Sequence, residues 1–93
     1  MNNIVDVRFH VMGPSIPADH AYVLYGAICR LLPHLHEDES IGIHAVNGRL
    51  AKDRTLTLDR HSRLSFRIAA DRIKELLPLS GRTLELDGEK IRI

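Results

Sequence analysis

Two stretches of strict alternation bracket one helical stripe, and together they leave this chain few ways to fold. Val5, Val7, Phe9 and Val11 alternate with Asp6, Arg8 and His10, and Leu64, Phe66 and Ile68 alternate with Ser65 and Arg67. A period of two gives each strand a single apolar face. Between them, Ala21, Leu24, Tyr25, Ile28, Leu31, Leu32 and Leu35 recur at helical spacing as a broad apolar stripe. One-faced strands and a one-faced helix must cover each other, which means a sheet with a helix packed on it. The 93 residues make one small domain, and a hydrophobic content of 44% supports a single core. With no Trp and only Phe9, Tyr22, Tyr25 and Phe66 as aromatics, that core must be aliphatic.

The remaining elements follow from the turn residues. Gly13, Pro14 and Pro17 break the first strand, and Asp19 is placed to cap a helix carrying the stripe. Pro33 bends or ends the last turn of that helix. Glu37-Asp38-Glu39-Ser40 reads as a solvated turn, Ile41 to Val46 as a strand, and Asn47-Gly48 as a hairpin turn with Thr55 to Leu58 on its return. Arg63 to Ile68 is a strand. Ile73, Leu76 and Leu77 mark a short second helix, begun near Ala70-Asp71 and stopped by Pro78 and Gly81. Thr83 to Leu86, Asp87-Gly88 and Lys90 to Ile93 form a terminal hairpin. This order predicts an α+β fold: a ferredoxin-like (RRM-like) βαββαβ sandwich with an extra short C-terminal strand, spanning residues 1–93. The last residues, Glu-Lys-Ile-Arg-Ile, still read as strand, the pattern expected of one domain cut from a longer chain.

Charge narrows the function classes. The net charge of +1 argues against a stand-alone nucleic-acid binder judged on bulk charge. Locally, Arg49, Lys52, Arg54, Arg60, Arg63 and Arg67 outnumber Asp53 and Asp59, with His61 in the same run. These are the candidate contacts for an RNA backbone, although a solvated hairpin face is the commoner reason for such a run. The single Cys29 excludes an internal disulfide, which fits a reducing cytoplasm. No basic segment followed by an apolar run opens the chain, and no stretch approaches membrane-spanning length.

Four of the six histidines fall between Asp19 and His44: His20, His34, His36 and His44. Imidazole takes and gives protons near neutral pH without a perturbed environment. Read from the residues alone, His36 is an exposed loop side chain before an acidic turn. His20, in the first helical turn, is as readily a surface residue as a functional one. His34 reads as solvated and His44 as a partly buried strand residue. Tyr25 lies on the apolar stripe, and Cys29 reads as a buried thiol. The spacing of these histidines is not that of a zinc site, and no Cys pair supports one.

The order of several short pieces resembles the N-terminal half of a CRISPR repeat-RNA endoribonuclease, of the myxococcal-type subgroup. The pieces are Ile16-Pro17-Ala18-Asp19-His20-Ala21-Tyr22, Leu24-Tyr25-Gly26-Ala27, Arg30-Leu31-Leu32-Pro33-His34-Leu35-His36-Glu37, Ile41-Gly42-Ile43-His44, Arg60-His61-Ser62-Arg63-Leu64 and Arg72-Ile73-Lys74-Glu75-Leu76-Leu77-Pro78-Leu79. The resemblance implies two ferredoxin-like domains in tandem and metal-independent cleavage of precursor CRISPR RNA, with no cofactor. It implies His36, in the Leu35-His36-Glu37 step, as general acid/base, with His20 second. CRISPR repeat RNA is the implied partner, with other CRISPR effector subunits beside it. Such cleavage needs a base for a 2′-hydroxyl proton, an acid for the leaving 5′-oxygen, and donors for the phosphorane. Two departures stand out. Cys29 occupies a helix position that is Tyr or His in some relatives, and the second domain with its glycine-rich loop lies outside these residues. The alternative expectation is a non-catalytic ferredoxin-like module that binds RNA or protein. Either way, a sheet with one open face predicts self-association of the isolated chain.

Overall fold

Leu64, Phe66 and Ile68 lie fully buried in the central strand, with Ser65 and Arg67 on the opposite face, as their alternation predicts. In the computed structural model, which describes residues 3–93, the chain runs through β1 (Ile4–His10), β2 (Ser15–Pro17), α1 (Ala21–Leu31), β3 (Gly42–His44), β4 (Arg49–Leu50), β5 (Thr55–Thr57), β6 (Arg63–Ala69), β7 (Thr83–Leu86) and β8 (Glu89–Arg92). Short 3-10 turns occupy Pro33–Leu35, Lys52–Arg54, Ala70–Glu75 and Leu77–Leu79. The main sheet has the order β1-β6-β3, with β6 antiparallel to both neighbours. β1 and β3 are therefore parallel, linked through α1, with β6 inserted between them. That is a split βαβ arrangement in an α+β fold, compatible with the ferredoxin-like class.

Val7, Phe66 and Ile43 form one row across the inner face of this sheet. The Phe9 ring meets Phe66 edge-on, with centroids 5.8 Å apart. Leu24, Ile28, Leu32 and Leu35 from the helical stripe close over the core, joined by Leu76, Leu79, Leu84, Leu86 and Ile91. Asp6, Arg8, His10, Ser65, Arg67, Gly42 and His44 lie on the outer face. His44 is exposed there, not half-buried as expected.

Several expected elements differ. Asp19 does not cap α1: His20 occupies the N-cap position, without a capping side-chain hydrogen bond. The helix stops at Leu31 because Pro33 disfavours helical torsions at the residue before it, and Leu32 sits at φ −129°, ψ 76°. The expected second helix is two successive 3-10 turns, closed by bonds such as Leu76 N–H to Ile73 O and Leu79 N–H to Leu76 O. Pro78 leaves too short a run upstream for an α-helix to propagate.

Asn47-Gly48 does not close a hairpin. β3 pairs with β6, whereas β4 pairs with β5, and β5 pairs with β2, a strand not anticipated between Gly13 and Pro17. Asn47 instead bridges a different segment, accepting the Arg63 N–H and donating to the His61 carbonyl. The terminal hairpin holds as expected. Asp87 and Gly88 both take positive φ, 51° and 87°, as a tight primed turn requires. Its strand β8 joins the end of the first strand's path through paired Met12 and Arg92 backbone bonds of 2.8 Å.

Candidate active site

The loop after α1 owes its shape to one buried residue. Leu35 is 1% exposed and anchors the turn Pro33–Leu35 in the core, which leaves its neighbours His34 and His36 exposed. Glu37 then enters the left-handed region at φ 63°, and its N–H donates to the Tyr25 hydroxyl at 2.8 Å. The Tyr25 and His36 rings lie 6.2 Å apart at a 40° tilt. Tyr25 is half-buried, so it is neither a pure core residue nor a free one.

His36 sits at the rim of a groove of about 730 Å³ between one face of α1 and the β7–β8 hairpin. Tyr22, Tyr25, Cys29 and Arg30 line the helix side; Glu85 and Asp87 line the hairpin side. Gly26 keeps the helix surface low there, with the Arg30 guanidinium 3.6 Å from where a Cβ would stand. Tyr22 is 89% exposed at the groove edge. Cys29 is only partly buried and faces this groove, rather than being the buried thiol expected. The groove thus sets an imidazole, a guanidinium and two phenols opposite two carboxylates; within it the imidazole can move a proton, and Arg30 is the group that can offset developing phosphate charge.

His20 is elsewhere. It is 2% exposed, its Nδ1–H donates to Pro17 O at 2.8 Å, and its Nε2 accepts the Val46 N–H at 2.9 Å. Both ring nitrogens are used within the fold, and His20 does not line the groove. It ties β2 and the start of α1 to the segment after β3.

His34 is partnered rather than freely solvated, with Nε2 3.0 Å from Glu75 Oε1. Glu75 is also held by Arg72, which reaches across to Asp38. The Arg72 and Ser40 hydrogen bonds hold the Asp38 carboxyl at about 2, below its ordinary 3.8. Arg72 likewise lowers Glu75, and the two carboxylates raise Arg72.

The predicted basic run is not part of the groove. Arg49 lies on β4, 3.9 Å from Asp59; Lys52 and Arg54 form the exposed tip before β5. Arg60 Nε–H donates to His61 Nε2 at 3.2 Å, and Arg63 donates to the Arg60 and Ser62 carbonyls. Arg67 pairs with Asp6 on the outer sheet face at 3.2 Å. The cation that does reach the groove, Arg30, was not singled out from sequence. Its spacing of four from Gly26 on the helix was the available signal. Among the described residues, no group of three or more His, Cys, Asp and Glu side chains converges as a metal site.

Comparison with known proteins places this architecture. The model of a family described as Cas6 Crispr matches residues 5–93. The chain is similar to the CRISPR-associated endonuclease Cas6 of Myxococcus xanthus (strain DK1622), with 34% identity over 89 residues. That match covers 96% of this chain and 38% of the relative, so the chain spans well under half the relative's length. On the strength of a family match that runs from β1 through the terminal hairpin, the chain belongs to the Cas6 family.

Proposed function

We propose that this chain is the N-terminal domain of a CRISPR repeat-RNA processing endoribonuclease, with His36 as its general acid/base. The observation that carries this is the exposed His36 ring at the rim of a groove shared with Tyr25 and Arg30. In the proposed reaction a base removes a 2′-hydroxyl proton, and that oxygen attacks the adjacent phosphorus. An acid then protonates the departing 5′-oxygen. The products are a 2′,3′-cyclic phosphate and a 5′-hydroxyl, and the requirement for a 2′-hydroxyl restricts the substrate to RNA. Arg30 is placed to steady the phosphorane charge. No metal ion takes part in this scheme.

In this reading His20 supports the fold that carries the groove and touches no RNA. Arg49, Lys52, Arg54, Arg60, Arg63 and Arg67 contact RNA phosphates away from the cleavage point. Repeat RNA is the partner, other CRISPR effector subunits are its companions, and the cytoplasm is the setting. No helix among the described residues is long and apolar enough to cross a membrane. The open sheet face supports self-association when this domain is produced alone.

The test is cleavage of the cognate repeat RNA by the full-length protein in EDTA, with end-group analysis of the products. Full activity and a cyclic phosphate are expected. Undiminished cleavage by His36→Ala removes His36 from the mechanism, and salt-sensitive binding without any cleavage identifies a non-catalytic RNA-binding module instead.

A further inference from the structure

The loop that presents His36 is held by a residue far along the chain. Arg72, in the turn Ala70–Glu75, donates from Nη2 to Asp38 Oδ2 and from Nη1 to Ser40 Oγ, both at 2.8 Å. Its Nε and Nη2 also donate to the two Glu75 oxygens at 2.7 and 2.9 Å. Glu75 in turn meets His34 Nε2 at 3.0 Å. Asp38 Oδ1 accepts the Ser40 backbone N–H at 3.0 Å, together with the Ser40 hydroxyl. One guanidinium therefore joins the residue two before His36 to the residues two and four after it.

A planar guanidinium fork holds carboxylates in fixed directions, which a lysine ammonium does not. Arg72 is partly shielded, with 28% of its side chain exposed, and Asp38 with 21%, so this clamp is not a freely solvated surface pair. At Glu37 the loop also adopts left-handed torsions that cost a non-glycine residue free energy unless its surroundings hold it there. Tyr25 holds it from the helix side; the Arg72 clamp holds the next residue from the other.

We propose that Arg72 is a positioning residue for His36, fixing the loop 34–40 so that the imidazole stays aimed along the groove. The proposal rests on the reading of His36 as acid/base given above. Arg72 touches no RNA in this scheme and acts only through Asp38, Ser40, Glu75 and His34. Misplacing an acid/base group by a fraction of its reach lowers the chemical step without weakening substrate binding.

The experiment uses the full-length protein and two variants. Arg72→Lys keeps the charge and loses the fork; Asp38→Asn cuts the loop side and leaves the Arg72–Glu75 pair in place. Each is expected to lower kcat about tenfold, with KM, RNA affinity and a cooperative melt preserved. In a His36→Ala background neither adds a further loss. Losses that multiply with His36→Ala, or that fall on KM, overturn the proposal and make Arg72 a fold or RNA-binding residue. Independently of cleavage, the His36 ring resonance should shift and broaden in Arg72→Lys. An unchanged resonance overturns the proposal while leaving the functional reading intact. Full activity of His36→Ala overturns that reading, and the positioning role with it, whatever the resonance does.

Discussion

Replacing His20 with alanine removes an imidazole that donates to Pro17 O and accepts from the Val46 N–H in a buried setting. Each backbone group left without a partner costs about 1–3 kcal/mol. Thermal denaturation of His20→Ala should therefore show a marked loss of stability. Cleavage by the full-length variant, measured well below its melting temperature, should stay within a few-fold of the unmodified protein. A His20→Ala protein that melts normally and cannot cleave would return His20 to the catalytic group. His36→Ala should behave in the opposite way. The ring is exposed and makes one tilted contact, with Tyr25, at a centroid separation of 6.2 Å, so the melt should change by no more than about 1 kcal/mol. Its rate should fall by about 10²–10⁴, the span for a lost acid/base group. Sequence spacing treats these two histidines alike. Burial separates them, because His20 falls where β2, α1 and the β3 exit meet, while Leu35 turns His36 outward.

At the scale of elements, Gly48 shows a correct residue with a different cause. The Asn47-Gly48 pair predicts a turn that needs left-handed torsions, yet Gly48 is required for space. A Cβ there would stand 2.6 Å from Thr57 O and 3.0 Å from Leu56 Cγ. Gly48→Ala should force β4 away from β5 and cost about 1–3 kcal/mol. Chemical denaturation is the measure, and a neutral result would mean that the β4–β5 contact yields freely. The Arg72 clamp makes a prediction in pH. Asp38 sits at about 2 in the fold against an ordinary 3.8, and Glu75 is lowered in the same sense. Their depressed values mean that the clamp's contribution is complete above the ordinary carboxylate range. It is lost as pH falls from about 4 towards 2. Melting temperatures of the unmodified protein and Asp38→Asn should differ by a constant amount above that window and converge near pH 2. A gap that persists at pH 2 would show that Asp38 stabilises by some route other than its charge.

For the whole molecule, the outer sheet face and the exposed apolar side chains set the solution behaviour. Ile4, Met12, Leu50 and Leu77 are each more than half exposed. Among the described residues no helix covers the outer face of β1-β6-β3, and no strand pairs with the outer edges of β1 and β3 in that sheet. Produced alone, the chain should self-associate at micromolar concentration, as light scattering would show. A monomer with a cooperative melt would show that this face needs no cover. The field of Arg67 is partly offset by Asp6, 3.2 Å from it. Arg54 at the β5 tip has no such partner among the ion pairs of the described residues. If both contact phosphates, Arg54→Ala should reduce the salt dependence of RNA binding more than Arg67→Ala does.

Periodicity was enough to place β1, α1, β6 and the terminal hairpin, because each buries a single face and the burial pattern is written locally. It was enough for the α+β class, since those elements in that order have few partners to choose. The loop histidine was singled out by the resemblance of several short pieces to the family, not by periodicity. Pairing was beyond its reach. β2 is three residues long and β4 two, too short to show a period, and only their partner β5 makes strands of them. The second helix failed because propensity favoured it while Pro78 and core contacts at Leu76 and Leu79 tightened it into 3-10 turns. The site divided along the same line. That a histidine stands after α1 is a property of the chain; that His20 is enclosed, Arg30 enters the groove and Arg72 grips the loop depends on contacts between residues distant in sequence, which only the folded molecule brings together.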